Sequence, residues 1–153
     1  VHILDENKNI IGFSTNECHQ VSSNSVNYFR VTLFKQIIQK SGIYPFVQEL
    51  RYAIFPSDLI ISRTQHPVVY NTFKKLCSNH GMLISPTVNN VYPKAFEITK
   101  ELGLDINSHS AIIGAIRGEV LAKTPAPSED LIPLWNQIDL KNGDVLVMIG
   151  YKE

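Results

Sequence analysis

With 153 residues, 44% hydrophobic and 18% charged, the chain has enough apolar material for one domain with a core and reads as folded rather than disordered. Its 14 basic and 14 acidic side chains cancel, and no Lys/Arg cluster stands out, which excludes the electrostatic footprint of a nucleic-acid binder. No apolar run approaches the ~18 residues of a membrane-spanning helix and no signal peptide opens the chain, so no membrane partner and a cytoplasmic location are expected.

Val1 begins the chain without a methionine and leads straight into a strand, which points to processing, trimming or preceding elements. Val1–Leu4 and Ile10–Thr15 flank the polar cluster Asp5–Asn9 and predict a β-hairpin. After the polar turn Ser22–Ser25, the β-branched and aromatic run Val26–Phe34 predicts a third or fourth antiparallel strand. Strict alternation would place Val26, Tyr28, Arg30, Thr32 and Phe34 on one face.

Gln39-Lys40-Ser41-Gly42-Ile43-Tyr44 then forms a glycine turn, and Pro45 is expected at the first position of a helix running to Ile54. Helical spacing predicts a buried stripe of Phe46, Leu50, Ala53 and Ile54, with Gln48, Glu49 and Arg51 facing away. Pro56-Ser57-Asp58 interrupts the chain, and Leu59–Ile61 reads as a short strand covered on both faces. A second helix starts at Pro67, buries Val69, Phe73, Leu76 and Cys77, and ends at His80-Gly81.

Beyond it, Pro93–Leu102 predicts a helix closed by Gly103, followed by a hairpin around Ile112–Leu121 and the loop Thr124–Pro127. Ser128 is expected to cap a short helix through Trp135, limited by Pro133, and Asn142-Gly143 to turn the chain into a final strand, Asp144–Tyr151. Cys18 and Cys77 have no metal-ligand spacing and read as reduced, half-buried thiols. The five histidines form no zinc pattern, so no metal is expected.

A glycine-bearing turn that empties into a helix start suits a diphosphate. The first backbone N–H groups of a helix lack partners within it, and the helix dipole favours an anion there. The bland alternative is an ordinary strand-to-helix turn.

The order of strands, glycine turn, helix, buried strand, helix and closing strand resembles the GNAT N-acetyltransferase superfamily. The family's loop, (Q/R)-x-x-G-x-(G/A), matches here at Gln39 and Gly42 and departs at Tyr44, where the family prefers a small residue. Tyr44 either points outward or partly fills the cradle. Arg63-Thr64-Gln65-His66-Pro67 is similar to the R-T-Q-N-P that opens the following helix in several bacterial members, with His66 replacing the asparagine. The motifs cover residues 1–81, and the remainder matches by element order alone.

What the resemblance implies is an α/β (α+β) fold with a mostly antiparallel central sheet and flanking helices, splayed between the fourth and fifth family strands. One domain would cover 1–153 and lack the family's first strand and first two helices. It further implies acetyl-CoA as acyl donor and a small-molecule or peptide amine as acceptor, and it leaves a homodimer open. Backbone groups of Leu33, Phe34 and Lys35 would pair with the pantetheine arm. N–H groups of Lys40, Ser41, Gly42, Ile43 and Tyr44 would hold the diphosphate, with Gln39 and Gln65 beside the coenzyme.

The family's thiolate-protonating tyrosine aligns with Phe73, so Tyr70, one turn earlier, becomes the candidate acid. The run Val26–Phe34 carries no acidic residue, which leaves Glu17 and His19 as candidate bases, His19 having the better intrinsic pKa. Alternative readings are a non-catalytic GNAT-like coenzyme-binding or assembly module, and an unrelated α+β ligand-binding domain.

Overall fold

A computed structural model describes residues 1–39, 41–116 and 124–152. The chain is mixed α/β, and its described residues form seven strands and four α-helices. They divide into two compact units, Val1–Ile60 and Ile61–Glu153.

In the first unit, β1 (His2–Leu4), β2 (Ile10–Val21) and β3 (Asn24–Phe34) pair antiparallel in chain order. The hairpin turn forms as its polar residues predict. The Asp5 carboxylate accepts the backbone N–H groups of Asn7 at 2.9 Å and Asn9 at 2.8 Å, so the side chain supplies the turn's acceptors. β2 runs well past Thr15 because its partner β3 is equally long, and the second turn tightens onto Ser22-Ser23.

A register shift changes what β3 presents. Thr15 lies opposite Val31 but Asn16 lies opposite Phe29, so Arg30 is an extra residue on β3. A bulge of this kind reverses the alternation beyond it. Asn27, Phe29 and Thr32 consequently meet the same helix residue, Arg51, and the expected single face of Val26, Tyr28, Arg30, Thr32 and Phe34 is not formed.

A 3₁₀ turn, Gln36–Ile38, precedes α1 (Ile43–Ile54). The helix starts two residues before Pro45, which is its third residue and not its first. Its inward face is also opposite to the expected one. Val47, Gln48, Arg51 and Tyr52 are buried, whereas Phe46 is 67% exposed and Ala53 and Ile54 are exposed.

In the second unit the expected pattern holds more closely. β4 (Leu59–Thr64) has its first two residues in the first unit, and Leu59, Ile60 and Ile61 are buried as an unbroken apolar run requires. α2 (Pro67–Asn79) starts with proline and buries Tyr70, Phe73, Leu76 and Cys77. Val69 is only half-buried.

β7 (Val145–Tyr151) is buried along its whole length and lies between β4 and β5 (Leu83–Ser85). β5 and β6 (Ala111–Ile112) each pair with β7 antiparallel. Ile112 pairs with Val145 of the closing strand, and the 117–121 portion of the hairpin expected around Ile112–Leu121 lies outside the described residues.

α3 (Ala95–Glu101) and α4 (Ile132–Trp135) complete the unit. Ser128 caps the 3₁₀ turn before α4 through its backbone carbonyl, which accepts from Leu131 at 2.8 Å; its hydroxyl makes no cap bond. Gly143, at φ 82°, makes the turn into β7, and a Cβ there would lie 2.0 Å from the Ile116 carbonyl oxygen. Cys77 is buried, with its thiol pushed up to about 12 by burial, while Cys18 is exposed; neither is half-buried.

Candidate functional site

The glycine turn lies in the first unit, between β3 and α1. Gly42 is the residue before α1 and takes φ 80°, a left-handed conformation that disfavours side chains with a Cβ. Among the described residues no side chain makes a cap hydrogen bond at the helix start. The leading N–H groups, at Ile43 and Tyr44, therefore have no intrahelical acceptor, and a Cβ built on Gly42 would meet nothing within 4 Å. Among the described residues, the space that a side chain at Gly42 would enter is open.

Other groups expected to contact a ligand here already have partners. The Gln39 side chain donates to the Phe34 carbonyl at 3.2 Å. Ser41 donates to the Ile38 carbonyl through its N–H at 3.2 Å and its hydroxyl at 2.7 Å. The Lys35 N–H donates to the Ile11 carbonyl at 2.8 Å, and Leu33 pairs with Phe13 on β2. Lys40 lies outside the described residues.

Tyr44 turns toward the sheet of its own unit. Its ring meets Phe34 edge-on at 6.2 Å, and burial pushes its phenol up to about 12 despite the opposing pull of Arg51. It neither points outward nor occupies the space before Gly42.

The exit of β4 and the start of α2 lie in the second unit. Thr64 Oγ1 accepts the His66 N–H at 2.8 Å, and the side chain of buried Gln65 donates to the Asp144 carbonyl at 2.9 Å. The Gln65 carbonyl accepts from the Trp135 indole at 3.4 Å. Gln65 Oε1 and His66 Nδ1 are buried without a hydrogen-bond partner among the described residues, and desolvation lowers the His66 pKa. Gln65 is thus primarily a tie from the end of β4 to the residue before β7.

Tyr70, the candidate acid, is 2% exposed and donates its hydroxyl to the Pro86 carbonyl at 2.8 Å. Its ring packs edge-on against Trp135 at 5.8 Å. Burial, reinforced by Cys77 and Asp130, pushes its pKa up to about 12. His19 is exposed on β2 and sits 3.5 Å from Glu17, which also pairs with Arg30 at 2.5 Å. Glu17, His19 and Arg30 thus form a partly exposed side-chain group on β2 and β3.

The residue that the helical pattern misplaced is Arg51. The residue is 2% exposed. Nε donates to Asn16 Oδ1 at 2.8 Å, Nη1 to Thr32 Oγ1 at 2.8 Å and Gln48 Oε1 at 3.4 Å, and Nη2 to the Thr15 carbonyl at 2.6 Å. The cation also lies 4.2 Å over the Phe29 ring. A guanidinium has five N–H donors, so one Nη2 hydrogen is left without an acceptor among the described residues.

No carboxylate lies within ion-pair distance of Arg51 among those residues. Burial lowers its pKa to about 10, which still leaves it charged at neutral pH. Beside it is a cavity of about 280 Å³ lined by the polar residues Ser14, Thr15, Asn16 and Arg51, by the apolar side chains of Ile54 and Phe55, and by Val1, whose α-ammonium donates to the Ser14 carbonyl at 2.8 Å. One sequence signal marked this face: Tyr44, Gln48 and Arg51 recur at helical spacing, a stripe of long polar side chains beside the apolar one.

No protein-family model, curated protein or solved structure matches this chain.

Proposed function

We propose that the protein is an acyl-CoA-dependent N-acyltransferase of GNAT type, which moves an acetyl group from acetyl-CoA to an amine. The observation that carries this reading is the open start of α1, where left-handed Gly42 precedes uncapped N–H groups at Ile43 and Tyr44. These groups would hold the coenzyme's diphosphate through backbone hydrogen bonds and the helix dipole. The Q-x-x-G spacing of Gln39 and Gly42, and the Arg63–Pro67 segment, add to it.

The coenzyme supplies an activated thioester, and the chain supplies position. Gln39 acts indirectly, since its bond to the Phe34 carbonyl braces the turn against β3. With the Tyr70 hydroxyl already donated to Pro86, the departing thiolate takes its proton from water. Tyr70→Phe is therefore expected to leave turnover within a few-fold of the parent, whereas a general acid would lose ~10²-fold or more.

Titration calorimetry with acetyl-CoA tests the diphosphate assignment. Valine at position 42 would combine ligand loss with backbone strain, so Gly42→Asn is the cleaner variant: asparagine tolerates the left-handed conformation and adds a side chain to the open space. It should weaken binding at least tenfold, about 1.4 kcal/mol, with an unchanged melting temperature. Equal affinity in the two proteins overturns the reading. Coenzyme binding without transfer to any amine would instead favour a non-catalytic coenzyme-binding module, which the bonded state of Tyr70 also suits.

A further inference from the structure

We propose that the first unit carries a second ligand site, in which Arg51 binds the carboxylate of a small organic acid whose apolar body lies against Ile54, Phe55 and Val1. The site is separate from the diphosphate reading: Arg51 and Ile54 are in the C-terminal part of α1, roughly 12 and 16 Å along the helix from Ile43.

The first argument is electrostatic. A buried cation without a carboxylate partner is costly, and neutral acceptors recover only part of its lost hydration. Arg51 has four neutral oxygens and a ring face around it, and no acid among the described residues. Metal binding does not suit a cationic wall, whereas an anion entering the cavity supplies the missing charge.

The second argument concerns shape and donor number. Ser14 and Thr32 share a hydrogen bond at 3.2 Å, and the Asn16 amide donates to Asn27 Oδ1 at 2.6 Å, so the polar wall is already internally braced. Arg51 is held in one position by that wall and keeps a single Nη2 hydrogen. With the Val1 α-ammonium already donating to Ser14, the free donors at this wall are few, which suits a monocarboxylate better than a phosphate dianion, whose oxygens demand more.

The third argument is the mouth. Ile54 and Phe55 are each 47% exposed beside the cavity, apolar surface that a hydrocarbon body would cover. At about 280 Å³ the space lies just under the range of drug-sized ligand pockets, which points to a small acid.

The test is a ¹⁵N-resolved NMR titration of the full chain with sodium hexanoate, with hexanamide and inorganic phosphate as parallel probes at constant ionic strength. Hexanoate is expected to shift the amide signals of Thr15, Asn16, Ile54 and Phe55 saturably, and hexanamide to leave them in place. Arg51→Met removes several buried bonds, so the decisive variant is at the exposed mouth. Ile54→Glu puts a like charge beside the carboxylate and should weaken hexanoate at least tenfold while leaving acetyl-CoA affinity unchanged. Three results would each overturn the proposal: no saturable hexanoate shift, equal shifts from hexanamide, or saturation by phosphate alone. None of them bears on Gly42.

Discussion

The helices α1 and α2 follow similar glycine- or polar-led turns, begin near prolines and run for 12 and 13 residues, yet they solve burial in opposite ways. α2 turns Tyr70, Phe73, Leu76 and Cys77 inward, as an apolar stripe should. α1 turns Gln48 and Arg51 inward and leaves Phe46 and Ile54 exposed. The difference comes from what the helix meets. In the first unit the bulge at Arg30 and the chain around Thr15 and Asn16 present a carbonyl, a hydroxyl and an amide oxygen, all acceptors for a guanidinium. A helix facing such a surface buries a donor.

The sharpest way to break this comparison is to truncate one phenylalanine from each helix. Phe73→Ala empties a buried site and should cost about 3–5 kcal/mol in urea unfolding. Phe46→Ala removes an exposed ring and should stay within about 0.5 kcal/mol. Similar costs at both positions would mean that α1 buries its apolar stripe after all.

Arg51→Met tests the polar half of the contrast. It keeps much of the side-chain volume but strands the Thr15 carbonyl and Asn16 Oδ1, so we expect a loss of about 2–3 kcal/mol by the same measurement. A gain in stability would show that the bulged strand accommodates an apolar helix face equally well.

A smaller effect separates the two units by pH. Buried Asp144, in the second unit, accepts backbone N–H groups from Asp139 at 2.9 Å and Gly114 at 3.0 Å and the Asn142 side chain at 2.8 Å. These bonds, led by that from Asp139, hold its pKa below the ordinary 3.8. The stability it contributes is present above the unfolded-state value and is lost as pH falls through the lower folded value. Asp144→Asn should flatten the acid limb of a melting-temperature profile below about pH 4. Asp5, similarly lowered but on the exposed hairpin turn, should change that limb less when replaced by asparagine. Reversed magnitudes would place the acid sensitivity in the first unit.

Local chemistry in the sequence determined the elements that depend on near neighbours. The Asp5–Asn9 turn, Gly42 before a helix, Pro67 opening α2, Gly81 following it and Asn142-Gly143 before β7 all form, because each rests on a φ preference or a short-range hydrogen bond. The apolar stripe of α2 and the buried run of β4 were legible for the related reason that their partners are apolar too. Only the tertiary structure decided which side of α1 faces inward, because that depends on a one-residue bulge in a distant strand. It also decided that the Tyr70 hydroxyl belongs to Pro86 and that Gln65 ties the end of β4 to Asp144. A side chain's partner across 16 or 79 residues of chain is set by packing, and packing has no period for a sequence to display.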